Sequence, residues 1–215
     1  MSDSQALSGV RVLDLSRVLA GPFCGQILGD LGAEVIKVER PGVGDDGRIY
    51  GFSTIKDAEG NRTRESAFYI CANRNKKSIT ANISKPEGQE LIRRLVAECD
   101  VLVENFKVGN LARYGLDYES LKEVNPRLIY CSITGYGQSG PLAPRPGYDG
   151  LFQTMGGMMA VTGIPEGEPG AGPLKAGPSL VDVFTGHNAA IAILGALNQR
   201  HVTGKGQYID MALLD

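Results

Sequence analysis

The 215-residue sequence predicts an α/β fold, a Rossmann-like, mostly parallel sheet with helices on both faces. Three observations carry that reading. Short apolar runs of strand length alternate with segments of helical periodicity along the whole chain. Glycine and proline punctuate the junctions, with 29 glycines, nearly double the usual share of roughly 7%, and 11 prolines. The composition, 42% hydrophobic and 21% charged, is that of a chain able to bury one full domain core. Alternation of this kind implies βαβ crossovers, and a parallel sheet is then covered on both sides.

Val10–Leu15 is short, apolar and Val/Leu-rich, which predicts a buried strand. Ser16–Pro22 reads as a loop and Phe23–Leu31 as a helix ended by Gly32. Glu34–Glu39 is a second strand, stopped by Pro41-Gly42. Gly42–Thr63 is polar, Gly-rich and aperiodic, the signature of a long binding loop. Ser78–Ile83 reads as a strand. Ser84-Lys85-Pro86-Glu87 then predicts a helix start capped by Ser84, with Leu91, Ile92, Leu95 and Val96 on one face and an end near Cys99.

Val101–Glu104 is a strand, followed by helical pieces at Val108–Tyr114 and Tyr118–Val124. Leu128–Thr134 has strong β propensity. Gly135–Gly147 and Gly163–Gly177 are Gly/Pro loops around a helix at Leu151–Ala160, in which Met155, Met158 and Met159 are expected to fill core. Leu180–Arg200 is the best helix, closed by Gly204 and Gly206, and Gln207–Ala212 is a last strand. A core strand so near the C-terminus points to a larger protein cut short.

The formal charge of −2 gives no basic field for nucleic acid. The longest fully apolar run, Ala189–Leu197, is shorter than the ~20 residues of a membrane span. Met1–Gln5 is polar and acidic, which predicts a cytoplasmic setting. Cys24, Cys71, Cys99 and Cys131 are widely spaced without C-x-x-C, so buried reduced thiols are expected, with no metal site and no disulfide framework.

Gly135-Tyr136-Gly137-Gln138-Ser139-Gly140 matches the dinucleotide pattern, but Pro141, Pro144 and Pro146 forbid the helix that would hold a pyrophosphate. Ser179-Leu180-Val181-Asp182 opens the long helix as a capping box. The same physics suits a nucleophile, because a carboxylate held by helix N–H groups stays ionised at neutral pH. Arg40, Arg74, Lys76, Lys77, Lys107 and Arg113 lie beside strand ends, either as phosphate grips or as ordinary solvated charge. His187 and His201 are too far apart for a metal pair, and His187 is near enough to Asp182 for a relay, against a plain structural role.

Taken together, LSGVRVLDLSRVLAGPFCGQILGDLGAEVIKVERPGVGDD (7–46), NRNKKSI (73–79), DVLVENFKVGNLARYGL (100–116), NPRLIYCSITGYGQSGP (125–141), GYDG (147–150) and the run 176–215 resemble the class III CoA-transferases of CaiB/BaiF type. The succinyl-CoA:glutarate branch is the most similar, judging by VERPGVGDD, NRNKKSI and CSITGYGQSGP. The resemblance implies that residues 1–215 are the large CoA-binding α/β domain without the small domain and the C-terminal return of the chain. It implies that Asp182 is the catalytic nucleophile, forming an acyl anhydride and then an aspartyl-CoA thioester.

By position it implies CoA contacts at Val18, Leu19 and Ala20, at Arg40, at Asn73, Arg74, Asn75 and Lys76, at Asn105, Phe106 and Lys107, and at Arg113, with Tyr148 beside the acyl group. The partners implied are an acyl-CoA and a small carboxylic acid, with a homodimer in the full-length family and no permanently bound cofactor. Acyl-CoA racemases of the same superfamily carry a base histidine where this chain has Gly147-Tyr148-Asp149. Racemisation, a non-catalytic CoA-binding fragment and, remotely, NAD binding are the competing readings.

Overall fold

The computed structural model describes residues 5–51 and 54–215. The chain runs β1 (Arg11–Asp14), α1 (Ala20–Asp30), β2 (Glu34–Glu39), β3 (Thr54–Lys56), β4 (Arg62–Ser66), α2 (Ala67–Cys71), β5 (Lys76–Thr80) and α3 (Pro86–Glu98). It continues β6 (Val101–Glu104), α4 (Tyr118–Val124), β7 (Ile129–Thr134), α5 (Asp149–Met155), α6 (Met158–Val161), α7 (Leu180–Thr203) and β8 (Gln207–Ala212). Single 3-10 turns sit at Asp46–Ile49 and Ala112–Tyr114.

Six strands form one sheet in the order β5-β2-β1-β6-β7-β8, and every neighbouring pair is parallel. The direction of winding reverses between β1 and β6. Loops leaving the carboxyl ends of those two strands part there and open a crevice, the usual ligand position on such sheets.

The four inner strands β2, β1, β6 and β7 feed two cores because successive side chains point to opposite faces. Val101 and Val103 of β6 join one cluster, with Cys24 and Leu28 of α1 and Ala189, Ile193 and Ala196 of α7. Leu102 joins the other, with Ile92 and Val96 of α3 and Leu121 of α4. α7 matches a membrane span in length and apolar composition, yet its small and apolar stripe is spent on α1 and the sheet. The two helices touch closely: a Cβ on Gly186 would lie 2.7 Å from the Ala20 carbonyl oxygen.

The bounds of β2, β6, α4 and β8 agree with the sequence reading. Other elements differ, each for a local reason. α1 begins at Ala20 rather than Phe23, because Pro22 falls in the first turn, where a missing N–H costs nothing. The aperiodic Gly42–Thr63 stretch holds a 3-10 turn and most of the β3–β4 hairpin. The hairpin turns at Asp57, whose Oδ1 accepts N–H groups from Glu59 at 3.1 Å and Asn61 at 2.7 Å. Positions 52 and 53 of that stretch lie outside the described residues, as does most of Met1–Gln5.

β5 starts at Lys76, not Ser78, and ends at Thr80, since Ala81–Ile83 has left the ladder. Ser84 does not cap α3: its N–H and hydroxyl both turn back to Asn82 Oδ1, and Lys85 takes the cap position. Val108–Tyr114 is only a 3-10 turn at its end. The helix expected over Leu151–Ala160 breaks into α5 and α6 at Gly156-Gly157, with Gly157 at φ +80°. Met155 is exposed and Met158 and Met159 only half-buried, so this segment does not fill core with methionine. Cys71 is exposed at the end of α2, unlike the other three thiols.

Candidate active site

A cleft of about 170 Å³ opens at the β1–β6 switch point. One wall is Arg17–Ala20, leaving β1, and the facing wall is Asn105–Val108, leaving β6. The end of β7 with the Ala143–Tyr148 loop closes one side, and Asp182 enters from the first turn of α7. Asn105 stitches the two walls: Oδ1 accepts from Arg17 N at 2.9 Å and Nδ2 donates to Arg17 O at 2.7 Å. Glu104, buried at the end of β6, accepts the Phe106 N–H at 2.7 Å and so braces the second wall. Burial without a cation raises its carboxyl to about 7, despite the hydrogen bonds from Ser132 and Phe106.

Asp182 is not held as the capping-box pattern predicts. Ser179 makes no side-chain cap. The N-terminal N–H groups of α7 go instead to Asp149 Oδ1, from Val181 at 2.9 Å and from Asp182 at 3.4 Å. Asp149 is itself buried, bonded by Gln153 Nε2 at 2.7 Å, and Lys175 Nζ lies 3.6 Å from its Oδ2. Among the described residues no donor hydrogen-bonds the Asp182 carboxylate, and burial, reinforced by the Asp149 charge and only partly relieved by Lys175, raises it to about 7. The expectation of a firmly ionised carboxylate is corrected accordingly. A carboxylate poorly solvated and poorly hydrogen-bonded is a stronger nucleophile than one locked in a cap.

The cleft gathers Val18, Leu19, Ala20, Asn105, Phe106, Lys107, Tyr148 and Asp182 of the residues singled out in the sequence. Tyr148 stands on the rim, 69% exposed. Arg40 is next door. It lines a second hollow of about 480 Å³ between Val38–Asp45, Ala81–Ser84 and Tyr114, and it pairs with Asp46. Arg17 and Phe106 belong to both hollows, so the two are adjacent. Arg113 is outside both, hydrogen-bonded to Asn110 and 5.7 Å from the Tyr114 ring centre.

Asn73, Arg74, Asn75 and Lys76 lie at the opposite, amino end of β5. Arg74 and Asn75 bind Asp30 at the end of α1. Lys76 is buried: its Nζ donates to Asp14 Oδ2 at 2.8 Å, to Pro22 O at 2.7 Å and to Asn73 Oδ1 at 2.9 Å. Burial would raise the Asp14 carboxyl, but Lys76 and Lys37 outweigh it and hold it at about 2. Lys77 pairs with Glu34 on the surface.

His187 Nδ1 donates to Val183 O at 2.9 Å, and the ring packs edge-on to Phe23. Neither histidine lines the cleft, so the relay to Asp182 is not formed and no base histidine is present there. Gly135–Gly140 opens no helix. Among the described residues no group of three His, Cys, Asp or Glu side chains is placed to hold a metal.

Sequence reasoning missed Arg17, Asp149 and Lys175. Asp149 had a local signal, a carboxylate after a Gly/Pro loop at the start of a helix, but nothing local says that it caps a different helix. Arg17 sits in the segment read only as a loop.

The profile of CoA-transferase family III matches residues 7–215. The chain is 53% identical over 97% of its length to succinate–glutarate CoA-transferase of Agrobacterium fabrum, covering 51% of that protein. It is 49% identical over 100% of its length to succinyl-CoA:glutarate CoA-transferase of Homo sapiens, covering 46%. The crystal structure of a CAIB/BAIF family protein from Brucella suis superposes with a TM-score of 0.92 at 55% identity, over 99% of this chain and 54% of that one. The chain therefore spans about half the length of these relatives.

Proposed function

The chain belongs to CoA-transferase family III, and on that premise we propose that it is the large, CoA-binding domain of an enzyme that moves CoA from a dicarboxylic acyl-CoA, such as succinyl-CoA, to a carboxylic acid. The observation that carries the reading is the Asp182 carboxylate, relieved of the helix N–H groups by Asp149 and directed to the switch-point cleft. The identity with succinate–glutarate and succinyl-CoA:glutarate transferases supports the choice of donor.

In this reading Asp182 attacks the thioester carbonyl carbon. The C–S bond breaks and CoA leaves as thiolate, giving a mixed anhydride. The thiolate then attacks the aspartyl carbonyl, releasing the first acid as carboxylate and leaving an aspartyl-CoA thioester. The acceptor carboxylate repeats the sequence in reverse, so thioester energy is conserved and Asp182 is regenerated. The larger hollow beside Arg40 suits the nucleotide end of CoA, with the pantetheine arm passing Arg17 and Phe106 into the Asp182 cleft. Arg17, Lys107 and Arg145 bring positive charge to that cleft for an anionic substrate.

The test is intact-protein mass spectrometry after mixing with succinyl-CoA, wild type beside Asp182→Asn. An acyl or CoA adduct in the wild type alone is the expected result. An adduct in both proteins removes Asp182 as nucleophile; none in either, with the chain folded, removes the first chemical step from this chain.

A further inference from the structure

Val18 has φ +70°. A β-branched residue in the left-handed region is a genuine outlier, tolerated only where the surroundings over-determine it. Apart from glycines, Asn75 is the only other described residue with positive φ, and asparagine adopts that region readily.

The surroundings are specific. Val18 N donates to Asp45 Oδ1 at 3.0 Å, and the same oxygen takes Gly47 N at 2.7 Å. Asp45 Oδ2 lies 2.8 Å from Lys37 Nζ, both side chains fully buried, in a charge–charge contact outside hydrogen-bond alignment. Lys37 Nζ donates to Ser16 O at 2.9 Å, so the pair grips the β1–α1 loop on either side of Arg17. Asp45 sits beneath the second hollow with its side chain fully buried and does not line the Asp182 cleft, whereas Val18, Leu19 and Ala20 do.

We infer that Asp45, backed by Lys37, is a positioning residue that holds Val18 in its left-handed conformation and thereby shapes the Val18–Ala20 wall to receive the acyl-CoA. This rests on the CoA reading above. A buried ion pair is weak evidence of stability for its own sake, because a neutral pair of similar size often serves as well. A pair spent on one strained backbone N–H at the cleft has a different use.

The test compares CoA affinity, by calorimetric titration, and urea stability in the full 215-residue chain. The base variant is Lys37→Met/Asp45→Leu, which removes the pair without orphaning either of its charges. It is expected to bind CoA roughly tenfold more weakly while remaining folded by far-UV circular dichroism. Adding Val18→Gly is expected to recover most of that loss, because glycine needs no hold at positive φ. Val18→Gly also raises the urea midpoint more in the paired variant than in wild type. Asp45→Asn, whose amide oxygen still accepts from Val18, binds within about twofold of wild type and serves if the paired variant does not fold.

The proposal is overturned if the paired variant binds CoA as tightly as wild type, if Val18→Gly restores nothing, or if Asp45→Asn loses as much as the paired variant. Absence of CoA binding in the unsubstituted chain defeats the functional reading first and the proposal with it. The stability coupling between positions 18 and 45 is measured without CoA and separates those two failures.

Discussion

The Asp149 carboxylate occupies the N-terminus of α7, where its Oδ1 takes the N–H groups of Val181 at 2.9 Å and Asp182 at 3.4 Å, 32 and 33 residues downstream. One acid is thereby solvated by a helix end and the other deprived of it. Two carboxylates with opposite environments on one helix terminus are a division of labour: Asp149 bears the structural load and Asp182 is left reactive.

That division has a pH signature. With its carboxyl raised to about 7, Asp182 becomes nucleophilic as pH rises through that value, so formation of the succinyl-CoA adduct increases from pH 6 to 8. Stability runs the other way. The folded state retains a proton that the unfolded state loses near the ordinary value of 3.8, so Asp182 costs stability as pH rises from about 4 to about 7. Asp182→Asn is therefore more stable than wild type at pH 8, and the gap closes below pH 4. Urea midpoints at both pH values check it.

Asp149→Asn keeps an oxygen for the Val181 N–H and removes the charge. The midpoint of the Asp182 pH–rate profile then falls below about 7, while a midpoint owed to Glu104 stays where it is. Asp149→Ala also uncaps α7 and costs about 0.5–2 kcal/mol in urea denaturation.

Lys76 and Lys107 share one sequence expectation, phosphate grip or solvated charge, and their settings differ sharply. Lys76→Ala leaves Asp14 short of its nearest buried cation and lowers stability by roughly 3–5 kcal/mol. Lys107→Ala, exposed on the cleft wall, leaves thermal unfolding unchanged and weakens CoA binding in a salt-dependent way. Thermal melts beside CoA titrations distinguish the two.

Gly186→Ala places a methyl 2.7 Å from the Ala20 carbonyl oxygen and 3.1 Å from the Phe23 ring. α7 must lift from α1, at a cost of about 1–3 kcal/mol. Both helix N-termini border the cleft, so CoA affinity falls with the melting temperature; an unchanged melt excludes this packing account.

The acid side of the stability curve belongs to Asp14 and Glu39. Burial opposes their charge, but the Lys76 and Lys37 cations for Asp14, and hydrogen bonds led by Arg48 for Glu39, hold both at about 2. Their stabilisation is complete above the ordinary carboxylate range and is lost as pH falls through about 2. Glu39→Gln lowers stability at pH 7 and flattens its decline between pH 5 and 2, as read from urea midpoints.

The sequence by itself determined the sheet and its covering helices, since apolar runs such as Val101–Glu104 and the stripe Ile92–Val96 report burial locally through their period. It also placed Asp182 at the start of a helix beside a loop. The β3–β4 hairpin escaped because its strands pack off the main sheet and carry no apolar alternation. Only the tertiary structure decided what the charged residues do. Asp149 caps α7 across 33 positions in sequence, Lys76 reaches Asp14 across 62, and Asp45 holds Val18 across 27. Burial pattern is written in neighbours three and four residues apart, whereas the partner of a buried charge is set by which distant segments the sheet order brings together.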